Sequence, residues 1–503
     1  MSDRETKKYE IIFTLTAIFS VALPVLLILS FNEDIINAFI TLGTEDDSIY
    51  WVVGIFVIPA LFGLLSAYMI YNKVKNNITS RSKILAIFFL PILLFGTIFA
   101  VIYYSGTFIP EKRGPYLSWT NDPRTTMTIT FELKTKGNYK LSYGESKSSM
   151  DSEISFERSE LRSYDDHYHY TVTVTGLKPD TRYYYGIPDL AKGPIPFNTA
   201  PNKQSASYKF LLYGDSKEYN RIYNNQHIPL INQIKRKIDF TELAFVVHTG
   251  DTADDHDKSK LWNFHFYAIK ELAQSVPYFV ASGNHEWNDK DPQNLDDQPA
   301  LDIQEFPTED IPAANIYSLN EASYSFGYAN AFFVFLGYGH VGFNDAEYLN
   351  WLEQQLAIGN SSYDFTFVAF HRSPFDDRSG DSIDDNVDII KSECPLFHNY
   401  SVEAVFSGHN HVIAHQKIKW DDDPNNRYVH YIISGGGGAN LRKPEYGTWD
   451  NEYGMGFRGE TVYCKKTYHF FIVEIDGEKS TAKFTAYNLA GLELESFTLD
   501  AYN

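Results

Sequence analysis

Five short apolar runs in the second half of the chain end abruptly in residues that can bind metal. Tyr208–Tyr213 ends in Gly214-Asp215, Leu243–Val247 leads to Gly250-Asp251, and Pro277–Ala281 leads to Gly283-Asn284-His285. Further on, Phe365–Phe370 ends at His371, and Val402–Phe406 leads to Gly408-His409-Asn410-His411. Carboxylates, an amide oxygen and imidazoles together suit divalent metals of intermediate hardness such as Mn, Fe or Zn. Each motif alone has a plainer reading, because Gly-Asp is a common turn and a lone histidine is more often a structural hydrogen-bonder than a ligand. Their recurrence, in order and each at the end of a run, points to one site.

The runs need elements to hold them. From Tyr208 onward β-rich stretches alternate with helical ones, which predicts an α/β layered domain over 207–503. The carboxyl edge of such a sheet is where loops converge on a site. Before it, Thr126–Leu133, Tyr139–Tyr143, Tyr170–Val174 and Tyr183–Ile187 read as short strands, with turn signals such as Lys178-Pro179-Asp180 between them. Leu177–Tyr183 has the pattern of a tyrosine corner, so 113–200 is expected to be a β-sandwich resembling a fibronectin type III module. Thr199–Ser207, with its proline and serines, is the expected boundary.

Residues 1–110 differ from the rest. They hold 7 basic and 8 acidic residues, so nearly all of the formal net charge of -21 belongs to residues 111–503. Ile11–Ser30, Ile49–Tyr71 and Ile84–Tyr104 carry no charge and are 20, 23 and 21 residues long. Each is long enough for a hydrocarbon core of about 30 Å. The expectation is a three-helix transmembrane anchor over 1–110. Lys73, Lys75, Arg81 and Lys83 mark the second loop as cytoplasmic and acids fill the first, which puts the N-terminus inside and the catalytic part outside a cell membrane. The spans contain no ionisable residue, so they read as an anchor rather than an ion path.

As a set, Gly214-Asp215, Gly250-Asp251, Gly283-Asn284-His285-Glu286, His371 and Gly408-His409-Asn410-His411 resemble the calcineurin-like metallophosphoesterases. The nearest branch is that of the purple acid phosphatases, whose fibronectin-like N-terminal module opens much as Gly114-Pro115-Tyr116-Leu117 does here. The resemblance implies a metal-dependent phosphoric ester hydrolase, acid phosphatase-like, with two metal ions (Fe, Mn or Zn). It makes Asp251 the bridging ligand, gives Asp215 and His411 to the first metal, and gives Asn284, His371 and His409 to the second. Such a pair can supply a metal-activated hydroxide and neutralise charge during in-line attack on phosphorus. His285 is then the expected general acid.

Two positions depart from the family pattern. Lys217 stands where His or Gly is common, and Asp254 where the purple branch has Tyr. Asp254 is a candidate metal ligand and Lys217 a candidate phosphate contact; a Lys217–Asp254 pair, or a surface salt bridge, is the plainer alternative. The expected substrate is a small-molecule or lipid-linked phosphoester. Nucleic acid is excluded by the acidic balance, since phosphate-backbone binding needs a basic footprint. The competing function is a catalytically silent receptor or adhesion protein on the same fold. Cys394 and Cys464, the two cysteines, permit a disulfide without establishing one.

Overall fold

The computed structural model describes residues 112–159, 167–188, 190–217, 226–255, 259–286, 305–307, 323–337, 346–375, 383–421, 423, 425–444, 447–450 and 456–502. They belong to one compact unit.

The fold class expected from sequence is corrected in its first part. Among the described residues no helix is long and apolar enough to cross a membrane. The longest, Ala346–Ser362, has 17 residues, about 26 Å at 1.5 Å per residue, and is short of a hydrocarbon core. The runs 11–30, 49–71 and 84–104 lie outside the described residues. The three-helix anchor, the multi-pass cell-membrane localisation and the outward orientation are therefore withdrawn.

Eight strands come first: β1 (Arg113–Ser118), β2 (Met127–Leu133), β3 (Lys140–Gly144), β4 (Ser152–Ser155), β5 (Glu157–Arg158), β6 (Tyr168–Val174), β7 (Arg182–Ile187) and β8 (Ala191–Asn198). They form two four-stranded sheets, ordered β1-β2-β6-β5 and β4-β3-β7-β8. Alternation sorts their side chains by face. Phe131 stacks on its cross-strand partner Tyr170 at 4.8 Å inside the sandwich. On the opposite face of the same strand pair, Thr128 and Thr173 join hydroxyls at 2.9 Å. The Tyr183 hydroxyl accepts the Lys178 N–H at 3.0 Å, which is the bond a tyrosine corner makes.

The remaining strands are β9 (Tyr208–Tyr213), β10 (Leu243–His248), β11 (Tyr278–Val280), β12 (Tyr324–Tyr328), β13 (Ala331–Phe335), β14 (Phe365–Arg372), β15 (Ala404–Gly408), β16 (Ile413–Trp420), β17 (Val429–Ser434), β18 (Thr448–Asp450), β19 (Phe457–Lys465), β20 (His469–Asp476), β21 (Thr481–Asn488) and β22 (Glu493–Asp500). A six-stranded sheet runs β11-β10-β9-β20-β21-β22, and an eight-stranded sheet runs β12-β13-β14-β15-β17-β16-β19-β18. Helices α1 (His227–Lys237), α2 (Ser259–Ala273), α3 (Ala346–Ser362), α4 (Ile383–Ser392) and α5 (Cys394–Asn399) connect them.

The two large sheets face each other through aromatic side chains. Phe245 lies 5.0 Å from Phe333, Phe210 lies 5.4 Å from Phe333, and Phe279 lies 4.5 Å from Phe326. On the other face of the eight-stranded sheet, Val334 of β13, Val368 of β14 and Val405 of β15 share a buried cluster with Tyr348, Trp351 and Leu352 of α3. The sandwich is locked to this core by Trp119, just past β1, whose ring lies 5.0 Å from Phe279 and 5.4 Å from Phe326. Beside it runs a buried polar seam. Arg113 donates to Glu132 at 2.6 Å and to Asn263 of α2 at 2.9 Å, while His169 reaches Glu132 at 3.4 Å and Glu305 at 3.0 Å. Cys394 and Cys464 are both buried thiols outside any disulfide, in separate apolar clusters.

Candidate metal centre

Parallel strands from both sheets deliver their carboxyl ends to one place. β9 and β10 lead into Asp215 and Asp251, the turn after β11 carries Asn284 and His285, β14 carries His371, and the turn after β15 carries His409 and His411. Asp215, Asp251 and His409 all sit in the left-handed region, with φ of 56°, 56° and 66°. A non-glycine residue there is uncommon and pays a conformational cost, so three at one edge mark a site held by its surroundings. The ladder between β14 and β15 also shifts register between Ala369 and Arg372, where a bulge re-aims His371.

Close approach explains two glycines. A Cβ on Gly250, whose φ is +93°, would lie 2.4 Å from the Ala281 carbonyl and 2.8 Å from His371 Nδ1. One on Gly408 would lie 2.2 Å from an Asp215 carboxylate oxygen. The chain can bring its ligands this near only where side chains are absent.

Two donor sets result. In the first, ligand atoms of Asp215, Asp251 and His411 all lie within 4.8 Å of one another, and all three residues are buried. His411 gives Nδ1 to the Asn440 carbonyl, which leaves Nε2 3.3 Å from Asp215 Oδ1 and without a hydrogen-bond partner. In the second, His371 Nε2 lies 3.2 Å from Asn284 Oδ1 and 3.3 Å from Asp251 Oδ1, and His409 Nδ1 lies 3.2 Å from Asn284 Oδ1. His371 donates Nδ1–H to the Thr249 carbonyl at 2.7 Å, which aims Nε2 into the site. Donor atoms about 3.3 Å apart are what bonds of about 2.0–2.2 Å to a common ion require. The residues therefore fit metal ions at both sets.

Charge is concentrated here. Burial alone would push the His371 imidazole down, but Asp251 beside it pushes harder, to about 9. His409 goes the other way, to about 4, through burial and the neighbouring His371.

His285 is the one imidazole of the group that keeps an exposed part. Its Nδ1 donates to the Asp254 carbonyl at 2.6 Å and its Nε2 lies 4.0 Å from Asp251 Oδ2. Asp254 thus stands beside His285, its carboxylate 3.6 Å from Nδ1, and is not among the residues converging on the first set. Lys217 is buried, and its Nζ lies 2.8 Å from Asp251 Oδ2. The surface salt bridge expected as its plainer role is thereby corrected: the partner is a candidate ligand, inside the site.

Glu286 received no role from the sequence. It is buried and accepts N–H groups from Asp251 at 2.8 Å, Gly283 at 2.7 Å, Ala253 at 3.3 Å and Thr252, with the Thr252 hydroxyl at 2.7 Å. One carboxylate thus ties the loop of Asp251 to the loop of Asn284. Its place in Gly-Asn-His-Glu was the available signal. The Thr249 and Asn440 carbonyls had none, because any residue type offers one. Two further buried histidines are structural: His227 meets the Tyr213 hydroxyl at 3.1 Å, and His248 Nδ1 accepts the Gly250 N–H at 3.2 Å.

Comparison with known proteins settles the family. The purple acid phosphatase N-terminal domain matches residues 113–212, and the calcineurin-like phosphoesterase domain matches 208–413. The chain is a purple acid phosphatase-like metallophosphoesterase. Purple acid phosphatase 15 of Arabidopsis thaliana is 24% identical to this metallophosphoesterase over 374 residues, covering 66% of this chain and 68% of the relative. Purple acid phosphatase 21 of the same plant is 24% identical over 280 residues, 53% of this chain and 57% of that one. The structure of purple acid phosphatase PPD1 from yellow lupin (Lupinus luteus) seeds superposes with a TM-score of 0.60 at 17% identity, covering 78% of this chain and 75% of that one. At that identity the likeness to the lupin protein is one of fold. The family and fold are those of metal-dependent phosphoric ester hydrolases, and the family works with a dinuclear metal centre.

Proposed function

We propose that this metallophosphoesterase hydrolyses small phosphate esters at a dinuclear centre. Asp215 and His411 would hold the first ion, Asn284, His371 and His409 the second, and Asp251 would serve both. Ions bound there would supply Lewis-acid activation of water and neutralisation of phosphate charge. The chain's own residues do the rest. Thr249 and Asn440 carbonyls fix the tautomers of His371 and His411, and Glu286 fixes the loop that carries Asp251. His285, with Nδ1 held by the Asp254 carbonyl, is free to give a proton from Nε2 to the leaving oxygen as the ester bond breaks. The observation that carries this reading is the convergence of six donor side chains from five strand ends, with separations suited to metal bonds.

The six donors are all present, which favours an active enzyme over a silent binding fold. A net charge of -21 favours small phosphoesters over polyanions, which the field would repel. The test is steady-state hydrolysis of an aryl phosphate monoester and diester by the wild type, His285→Ala and Asp251→Asn. For His285→Ala the reading expects a loss of about 10²-fold or more in kcat with the metal retained, smaller for substrates with a good leaving group. For Asp251→Asn it expects loss of metal and of activity together. Full hydrolysis by Asp251→Asn with full metal content would sink the shared-ligand assignment.

A further inference from the structure

The buried ion pair between Lys217 and Asp251 has a consequence for how the centre fills. Lys217 is held in place twice: its backbone N–H donates to the Asp251 carbonyl at 2.8 Å, and its Nζ lies 2.8 Å from Asp251 Oδ2. Side-chain exposure is 6% for the lysine and 0% for the aspartate, so neither charge is solvated by bulk water. The other carboxylate oxygen, Oδ1, accepts the His285 N–H at 3.1 Å and faces His371 Nε2 at 3.3 Å. The carboxylate is thus divided. Oδ1 looks toward the Asn284, His371 and His409 donors, and Oδ2 looks toward a fixed ammonium.

We propose that Lys217 is an internal cation that competes with the first metal for Asp251, so that the two positions of the centre load unequally. This rests on the reading that Asp251 serves both ions. The Asn284–His371–His409 position uses the oxygen that Lys217 leaves open, and it fills first. The Asp215–His411 position has to share Asp251 with the ammonium, and it fills only at higher metal concentration. Two like charges a few ångströms apart, away from bulk water, repel strongly enough to separate the two affinities by about tenfold or more. Lys217 then acts as a determinant of metal occupancy, and the first position becomes the one that responds to metal supply.

The experiment is calorimetric titration of the metal-free full chain with Zn²⁺, with bound metal counted by elemental analysis after equilibrium dialysis. For the wild type the expected result is one tight and one weaker site. In Lys217→Met the weaker site tightens by about tenfold or more, while Lys217→Arg, which keeps the charge, retains the split. Two sites of equal affinity in the wild type would overturn the role of Lys217 and leave the dinuclear reading standing. So would a split that Lys217→Met does not change. Absence of any bound metal in all three proteins would overturn the centre itself, and the role of Lys217 with it. Should Lys217→Met fail to fold, Lys217→Gln, which is also neutral and of similar reach, makes the same comparison.

Discussion

Single residues set the cost of building this centre. Glu286 gathers the N–H groups of Asp251, Thr252, Ala253 and Gly283 on one buried carboxylate. Removing it strands several buried donors, each costing about 1–3 kcal/mol. Glu286→Ala is therefore expected to lower stability by about 3 kcal/mol or more and to lose bound metal, as urea unfolding and elemental analysis would show. Unchanged metal content in a folded Glu286→Ala would mean that the Asp251 loop needs no such anchor. Gly408→Ala makes a sharper point. Its new methyl would meet Asp215 2.2 Å away, so metal at the Asp215–His411 position should be lost although no donor has been changed.

At the scale of elements, the strand ends deliver the ligands and the aromatic layer keeps the strands in place. Trp119 carries the sandwich into that layer and is fully buried. Trp119→Ala should cost about 3–5 kcal/mol, measurable by urea unfolding; a loss below about 1 kcal/mol would show that the sandwich is not packed against the core as described. The site-bearing strands were legible in the sequence because each joins a β-rich run to a polar stop. Tyr208–Tyr213 has the same limits in both readings, and Leu243–Val247 gains one residue. His371 was legible as a ligand candidate, but its place inside β14 was not, since a bulge comes from pairing with β15 and leaves no local signature. β4 and β5 were missed because Ser152–Ser155 and Glu157–Arg158 are largely exposed and have no apolar alternation to read. Lys217 was seen, but its partner was not. Two residues 34 positions apart share an ion pair only because β9 and β10 are neighbours.

At the scale of the whole molecule, the seam between sandwich and metal domain is polar and therefore sensitive to pH. His169 is buried, which would push its pKa down, but hydrogen bonds and charge from Glu132 and Glu305 outweigh that and raise it. Arg113 and Asn263 complete the surroundings. A raised folded-state pKa stabilises the fold fully below the unfolded value of about 6.5, and the contribution is lost as pH rises through the folded value. The stability difference between wild type and His169→Phe, followed by urea unfolding across pH, should therefore shrink toward alkaline pH; a difference that grows would contradict the seam's charge state. The central claim is that chemistry at this edge depends on metal held by six side chains from both sheets. It is tested most directly by phosphate release from a small phosphoester by the full chain, before chelation, after it, and after metal is restored. In the wild type activity should be lost on chelation and recovered with metal, and a folded Asp215→Asn, His371→Ala double variant should show neither activity nor metal uptake. Undiminished hydrolysis by the chelated chain, or by that variant, would contradict the claim.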